Sequence, residues 1–357
     1  MGSHFVDVVV IGAGQAGLSA GYHLRRTGFA PGSGFVLLDG DDGPGGAWQH
    51  RWPTLRLERV HGFHDLPGMP FPSADPQRPA AEVVSAYFAR YEQTFDLPVR
   101  RPVRVRAVRS RPDDRLDVHS DNDTWTTRAL INATGTWTRP FWPHYPGRSS
   151  FRGQQLHTAD YRGPAEFAGR RVVVVGGGTS AVQLLAEIFP VAASTTWVTR
   201  RPPQFTSGEF GPELGRAAVA RVETAVRAGR PPGSVVGVTG LPLTPEIRRL
   251  QDGGVLDRLP MFDRITPDGV TWADGRFVGA DIILWCTGFR AALDHLAPLG
   301  LRAPGGGIVM DGTRVVTDDR IHLIGYGPSA STIGANRAGR AAVNEIRALL
   351  APAPALD

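Results

Sequence analysis

Two stretches of this chain carry glycines at a spacing that lets backbone close on a diphosphate. In GAGQAG, Gly12, Gly14 and Gly17 follow an apolar run and precede a helical pattern. There the first glycine makes a tight turn, the second lets backbone approach a pyrophosphate, and the third lets helix and strand lie close. In VVGGGTSA, Gly176 and Gly178 take the first two places, Ala181 the third, and Ser180 stands beside it. The residues ending the second strand of each unit are opposite in charge. Asp39 ends FVLLD, where it can accept from ribose hydroxyls, with Asp41 and Asp42 as competitors or members of a solvated turn. Arg200 and Arg201 end TTWVTRR, where a guanidinium can pair with a 2'-phosphate. The expected cofactors are FAD at the first site and NADPH at the second, with NADH also open.

Two nucleotide sites in one chain imply hydride transfer from nicotinamide to flavin. The single cysteine, Cys286, excludes a dithiol pair, and no His, Cys and acid grouping has metal-ligand spacing, so no metal is expected. The remaining acceptors are dioxygen, a quinone or a small organic molecule. His157 invites an acid/base role by its near-neutral pKa, yet its place just before the second glycine unit suits organising the link between domains. Arg59 and His61, in LRLERVHGFHDLPG, are candidates for contacting the flavin and nicotinamide, against a structural or surface role. Gly46 and Trp48 of GPGGAW flank the flavin or, in the indole's case, pack as core. Thr134 and Gly135 in NATG, and Thr287 and Gly288 in CTGF, form mirrored turns placed among the cofactor-binding residues. Thr332 opens the last helix, whose positive end suits developing negative charge.

The elements that must position these residues read as an α/β protein. It has two dinucleotide-binding Rossmann-like domains of three-layer ββα type, the NADP domain inserted in the FAD domain. The FAD-binding domain is expected at 1–148 and 289–357, the NADPH-binding domain at 162–288, and an interdomain linker at 149–161. Phe5 starts a strand, LSAGYHLRRTG a helix, and FVLLDG a strand buried on both faces. Glu82–Phe95 reads as a helix, VRVRAVRS and LDVHS as a small antiparallel pair, and ALINATG as a strand running into a turn. An amphipathic helix from Glu213 to Ala228 reads as a cover, RIHLIGYG as a strand, and a long helix runs from Thr332 to about Leu350. All 39 basic residues are arginines, scattered among 34 acids for a net charge of +5, so no nucleic-acid partner is expected. The N-terminal run is too short for a membrane span and lacks a secretory pattern; a cytoplasmic protein is expected, with a homodimer left open.

Between the two glycine units lies FRGQQLHTADYRG. Phe151, Gly153, His157 and Tyr161 in it resemble the FxGxxxHxxx(Y/F) fingerprint of class B flavin-dependent monooxygenases. GAGQAG, GPGGAW, NATG, VVGGGTSA and WCTGF fall in the order seen in that family. Tyr161 and the short length resemble the compact bacterial flavin-containing monooxygenases, which are related to the Baeyer-Villiger enzymes. The resemblance implies an enzyme using NADPH and O2 to oxygenate small organic molecules, sulfides to sulfoxides through a C4a-(hydro)peroxyflavin. Baeyer-Villiger oxidation of ketones to esters or lactones is the alternative, and an NADPH-dependent flavin reductase or electron-transfer enzyme a second. One departure stands out: the segment after GGAW offers Arg56, Arg59, His61 and His64 where the family carries an asparagine.

Overall fold

The computed structural model describes residues 2–60, 63–206, 212–233 and 240–351. The first sheet is built on β1 (Gly2–Ile11), whose alternating side chains serve two cores. Val8 and Val10 face α1 (Gln15–Arg26), α2 (Ala80–Thr94) and the last helix, Thr332–Leu350, packing with Leu18, Leu24, Phe88, Ala342 and Ile346. Val9 and Ile11 face the other way, onto Val108, Leu116 and Val118 of β4 (Val105–Ser110) and β5 (Leu116–Ser120). Helices, sheet and antiparallel strands thus form three layers.

Within the sheet, strand Asp318–Leu323, β6 (Asp123–Asn132), β1, β2 (Phe35–Leu38) and β3 (Val99–Arg100) lie side by side and parallel. β6 is long enough to use its first half for β5 in the antiparallel sense and its second half for the core.

The second sheet is wholly parallel, in the order Arg258–Pro260, β9 (Ser194–Thr199), β8 (Arg171–Val175), Ile282–Trp285 and β7 (Gln154–His157). Its strands are Val- and Ile-rich because α3 (Thr179–Ile188) covers one face and a three-stranded antiparallel sheet over 264–279 covers the other. The segment expected as a linker therefore includes a strand of this sheet. Gln154–His157 pairs in register with Ile282–Trp285, which seats His157 and Tyr161 inside the protein.

Chain passes between the sheets twice, after β6 and after Trp285, and the two crossovers pair with each other. Phe141 N donates to Gly288 O at 2.9 Å, Arg290 N to Arg139 O at 2.8 Å, and Ala292 N to Gly135 O at 3.0 Å. An apolar seam adds to this link, with Trp52 and Leu55 packing among Tyr161, Leu184, Leu185 and Trp197. The expected amphipathic helix is present as α4 (Pro212–Arg227); Val226 packs against the Gly327 turn that leads into the last helix. No described helix is long and apolar enough to cross a membrane.

Candidate active site

The first glycine loop is shaped by contact with β6. Gly12 has φ +99°, and a Cβ there would lie 2.6 Å from the Ala133 carbonyl oxygen. At Gly17 a Cβ would lie 1.9 Å from the Gly12 oxygen, so only glycine lets α1 start this close to the strand. Gly14 is the helix N-cap, with no side-chain cap and no acid in the first turn. The first N–H groups of α1 therefore lack a protein carboxylate and suit an anion. The second loop repeats the arrangement. Gly176 has φ +144° and abuts the Cys286 carbonyl, while Gly178 caps α3, again without a side-chain cap or first-turn acid, and faces open space. Ser180 sits part-buried in that first turn.

The strand-end charges differ in their surroundings. Asp39 is buried, and its carboxylate accepts from Arg101 Nε at 2.8 Å. Arg101 in turn forks onto Glu92 at 2.7 and 2.8 Å, so one cation serves two acids. Burial raises the Asp39 carboxyl above the usual range, against the opposing pull of Arg101. Asp41 is committed to His50 and Gln49, each at 3.0 Å, and Asp42 is exposed. Arg200 and Arg201, by contrast, are exposed at the end of β9 and make no ion pair among the described residues. Arg258, which sequence reading did not single out, reaches the same strand end, its Nη2 donating to Thr199 O at 3.4 Å.

Two expected catalytic residues have other work. His157 is completely buried; its Nδ1 accepts from Ala159 N at 3.1 Å, so its Nε2 carries the proton and donates to Gly288 O at 3.0 Å. Burial also lowers its pKa, and with both nitrogens occupied the ring is a neutral tie between β7 and the second crossover instead of a proton carrier. Arg59 donates to Glu246 at 2.8 Å and lies 3.7 Å from Glu187, so its charge is spent on two acids of the second lobe. His61 lies outside the described residues.

Glu187 on α3 is the centre of this seam. It accepts from Tyr161 OH at 2.9 Å, from Thr54 Oγ1 at 2.5 Å and from Trp52 Nε1 at 3.3 Å. Nothing in the sequence marks Glu187, because an acid on an amphipathic helix reads as a solvated face. The hydroxyls of Thr134 and Thr287 donate across the paired crossovers, to Ala292 O at 2.7 Å and Phe141 O at 2.5 Å. Neither hydroxyl proton is free for a nucleotide, although Gly135 and Gly288 between them face open space.

The remaining candidates surround the first loop. A Cβ on Gly46 would lie 2.8 Å from Gly14 Cα, which sets the short helix Gly46–Trp48 against the loop. Trp48 packs edge-on to Phe63 and stands beneath the Arg51 guanidinium. Thr332 opens the last helix, with Ser331 as its cap, and its Oγ1 lies 3.0 Å from His64 Nδ1. Gln15 of the glycine loop donates to Asn336 at 3.0 Å, tying loop and helix start together. Two open helix starts and two glycine turns facing space fit a pair of dinucleotides.

Comparison with known proteins agrees. Residues 9–229 match the family model described as pyridine nucleotide-disulphide oxidoreductase. A flavin-containing monooxygenase from Stenotrophomonas maltophilia is 42% identical and superposes with a TM-score of 0.82, over 98% of this chain and 100% of that one. An indole-3-pyruvate monooxygenase from Oryza sativa is 24% identical over 90% of each chain. A CzcO-like oxidoreductase of Geobacillus kaustophilus is 26% identical over 80% of this chain and 81% of its own. The disulphide chemistry in the family's description has no dithiol here, since Cys286 is alone and buried. The chain belongs to the pyridine nucleotide-disulphide oxidoreductase family and, within it, is a compact bacterial-type flavin-dependent monooxygenase that uses FAD, NADPH and dioxygen on organic substrates.

Proposed function

We propose that this monooxygenase converts small sulfides to sulfoxides, consuming one NADPH, one proton and one O2 per turnover and releasing NADP+ and water. Bound FAD supplies the two-electron step between NADPH and dioxygen. Gly14 and the α1 start hold it, Asp39 stands at its ribose side, and Gly178, Ser180, Arg200 and Arg201 hold NADPH. The apolar seam of Trp52, Leu55 and Tyr161 keeps the junction of the lobes dry.

One observation favours sulfur over ketones. Oxygen transfer to sulfur uses an oxidising oxygen kept protonated, whereas insertion beside a carbonyl uses an anion that a neighbouring free cation favours. Arg59 has its charge matched by Glu246 and Glu187, and His157 is held neutral, so neither supplies that cation. The test is product analysis with the holoenzyme, NADPH and air, offering a methyl aryl sulfide or a cyclic ketone of similar size. Sulfoxide formed in step with NADPH loss, with little lactone, is expected. Lactone as the main product would establish the Baeyer-Villiger alternative, and hydrogen peroxide equal to NADPH consumed, with no organic product, would reveal an oxidase or reductase.

A further inference from the structure

Two arginines set deep in this protein are matched by acids. Arg101 and Arg320, with side chains 12% and 13% exposed, pair with Asp39 and Glu92 and with Asp318 and Asp114. Arg51 has no such match: it is part-buried and burial lowers its pKa, yet among the described residues its guanidinium has neither an ion pair nor a hydrogen-bond acceptor. What it has instead is two indoles, its Cζ lying 5.6 Å from the Trp48 ring centroid and 5.2 Å from that of Trp137. Rings stabilise a guanidinium through its flat face and leave its in-plane N–H groups unused. Those donors are not sealed in, since the fully enclosed side-chain atoms lacking a partner belong to Gln15, Ser85, Arg258 and His322.

Both rings hang from segments packed on the first glycine loop. Trp48 ends the short helix whose Gly46 abuts Gly14, and Arg51 follows one turn later, its N–H donating to Trp48 O at 3.0 Å. Trp137 follows the turn whose Ala133 carbonyl abuts Gly12. A planar fork of donors held by two rings whose segments pack on a glycine loop, with no carboxylate to satisfy it, suits paired phosphate oxygens.

We propose that Arg51 is a phosphate-holding residue of the cofactor cleft, closing on the pyrophosphate of a bound dinucleotide. The contact between Gly46 and Gly14 favours FAD over NADPH as its source. Burial, which lowers the Arg51 pKa with no acid to offset it, is then compensated when the phosphate arrives. The proposal rests on dinucleotide binding and not on the identity of the oxygenated substrate; because sulfoxide is not a readout, the two readings fail separately.

The experiment compares Arg51→Gln and Arg51→Lys with the parent holoenzyme in four measurements: FAD dissociation constant, NADP+ dissociation constant, two-electron midpoint potential and thermal unfolding of the FAD-stripped protein. Arg51→Gln is expected to weaken oxidised FAD about tenfold. Arg51→Lys should recover most of that loss, with the potential and the unfolding of stripped protein unchanged. A loss confined to NADP+ would support the phosphate role and assign it to the second nucleotide. Unchanged affinity for both nucleotides would overturn the proposal, as would destabilised stripped protein with normal affinities, which marks a structural cation. A fall in potential at constant affinity would also overturn it, placing the charge beside the flavin ring.

Discussion

The two nucleotide sites share a backbone plan and differ in how each manages its strand-end charge. At the first, Asp39 is buried and locked into a chain of charges with Arg101 and Glu92. At the second, Arg200 and Arg201 stand in solvent with no ion pair among the described residues. Two acids buried side by side must be matched by the fold before any ligand arrives, so the Asp39–Arg101–Glu92 set is part of the protein's stability. An exposed charge costs the fold little, so the second site can be changed to suit its ligand.

The sharpest test of that difference removes the shared cation. Arg101→Met leaves Asp39 and Glu92 buried together without compensation, and a loss of about 3–5 kcal/mol of folding stability is expected. Urea unfolding of the variant measures it. A loss as small as that of an exposed arginine would erase the contrast between the sites.

The first lobe buries another titratable group, His322, whose side chain is 1% exposed and whose pKa burial lowers to about 4. Glu345, 3.9 Å away, is 43% exposed and too well solvated to offset this. Between pH 6.5 and 4 the unfolded chain takes a proton on this residue and the folded chain does not. Stability therefore falls as pH drops through that window, by up to about 3 kcal/mol from His322. Asp39 acts in the opposite sense. Its carboxyl is raised, so the folded state gains its proton first on acidification, which relieves part of the loss at the lower end. Urea midpoints at pH 6.5 and 4.5 should show a smaller acid loss in His322→Gln than in the parent, and equal losses would remove His322 from the account.

At the second site the expected effect moves from folding to selectivity. Replacing Arg200 and Arg201 together by Gln should lower the NADPH to NADH ratio of kcat/KM by about 10- to 100-fold, the value of one or two charge-assisted hydrogen bonds. Unfolding should shift by less than about 0.5 kcal/mol, since both side chains are exposed. A large stability loss with unchanged selectivity would reverse the roles assigned to the two sites.

The contrast also sorts what the sequence could reveal. The glycine loops, the strands behind them and the helix at Thr332 were legible because turn geometry and apolar period are local properties. The signs of Asp39 and Arg200–Arg201 were legible for the same reason. The partners were not. Arg101 meets Asp39 across 62 positions, Arg59 meets Glu246 across 187, and Glu187 gathers Trp52 and Thr54 from more than 130 residues upstream. None of these pairings has a spacing rule. His157 offered two readings, acid/base chemistry from its titratable ring and organisation of the interdomain link from its place in the chain, and its two hydrogen bonds, which make the imidazole a two-ended connector, favour the second. Arg51 escaped notice because its distinguishing property, the absence of an acid, cannot be seen in one dimension.

The smallest effect is expected at the seam joining the two sites. Tyr161 is fully buried, with its ring among Trp52 and Phe167 and its hydroxyl on Glu187. Burial and the Glu187 charge both raise the phenol's pKa, so it stays a neutral donor throughout the working range. Tyr161→Phe keeps the packed ring and removes one of three donors to Glu187, while Thr54 and Trp52 remain. The expected cost is about 1 kcal/mol of stability, with FAD affinity and nicotinamide preference unchanged. The ring is the part the fold needs, which gives a physical reason for the resembling fingerprint to accept either Tyr or Phe there. If Tyr161→Phe instead altered nicotinamide preference, the seam would be coupled to the second site and the charges of Arg200 and Arg201 could not by themselves set its selectivity.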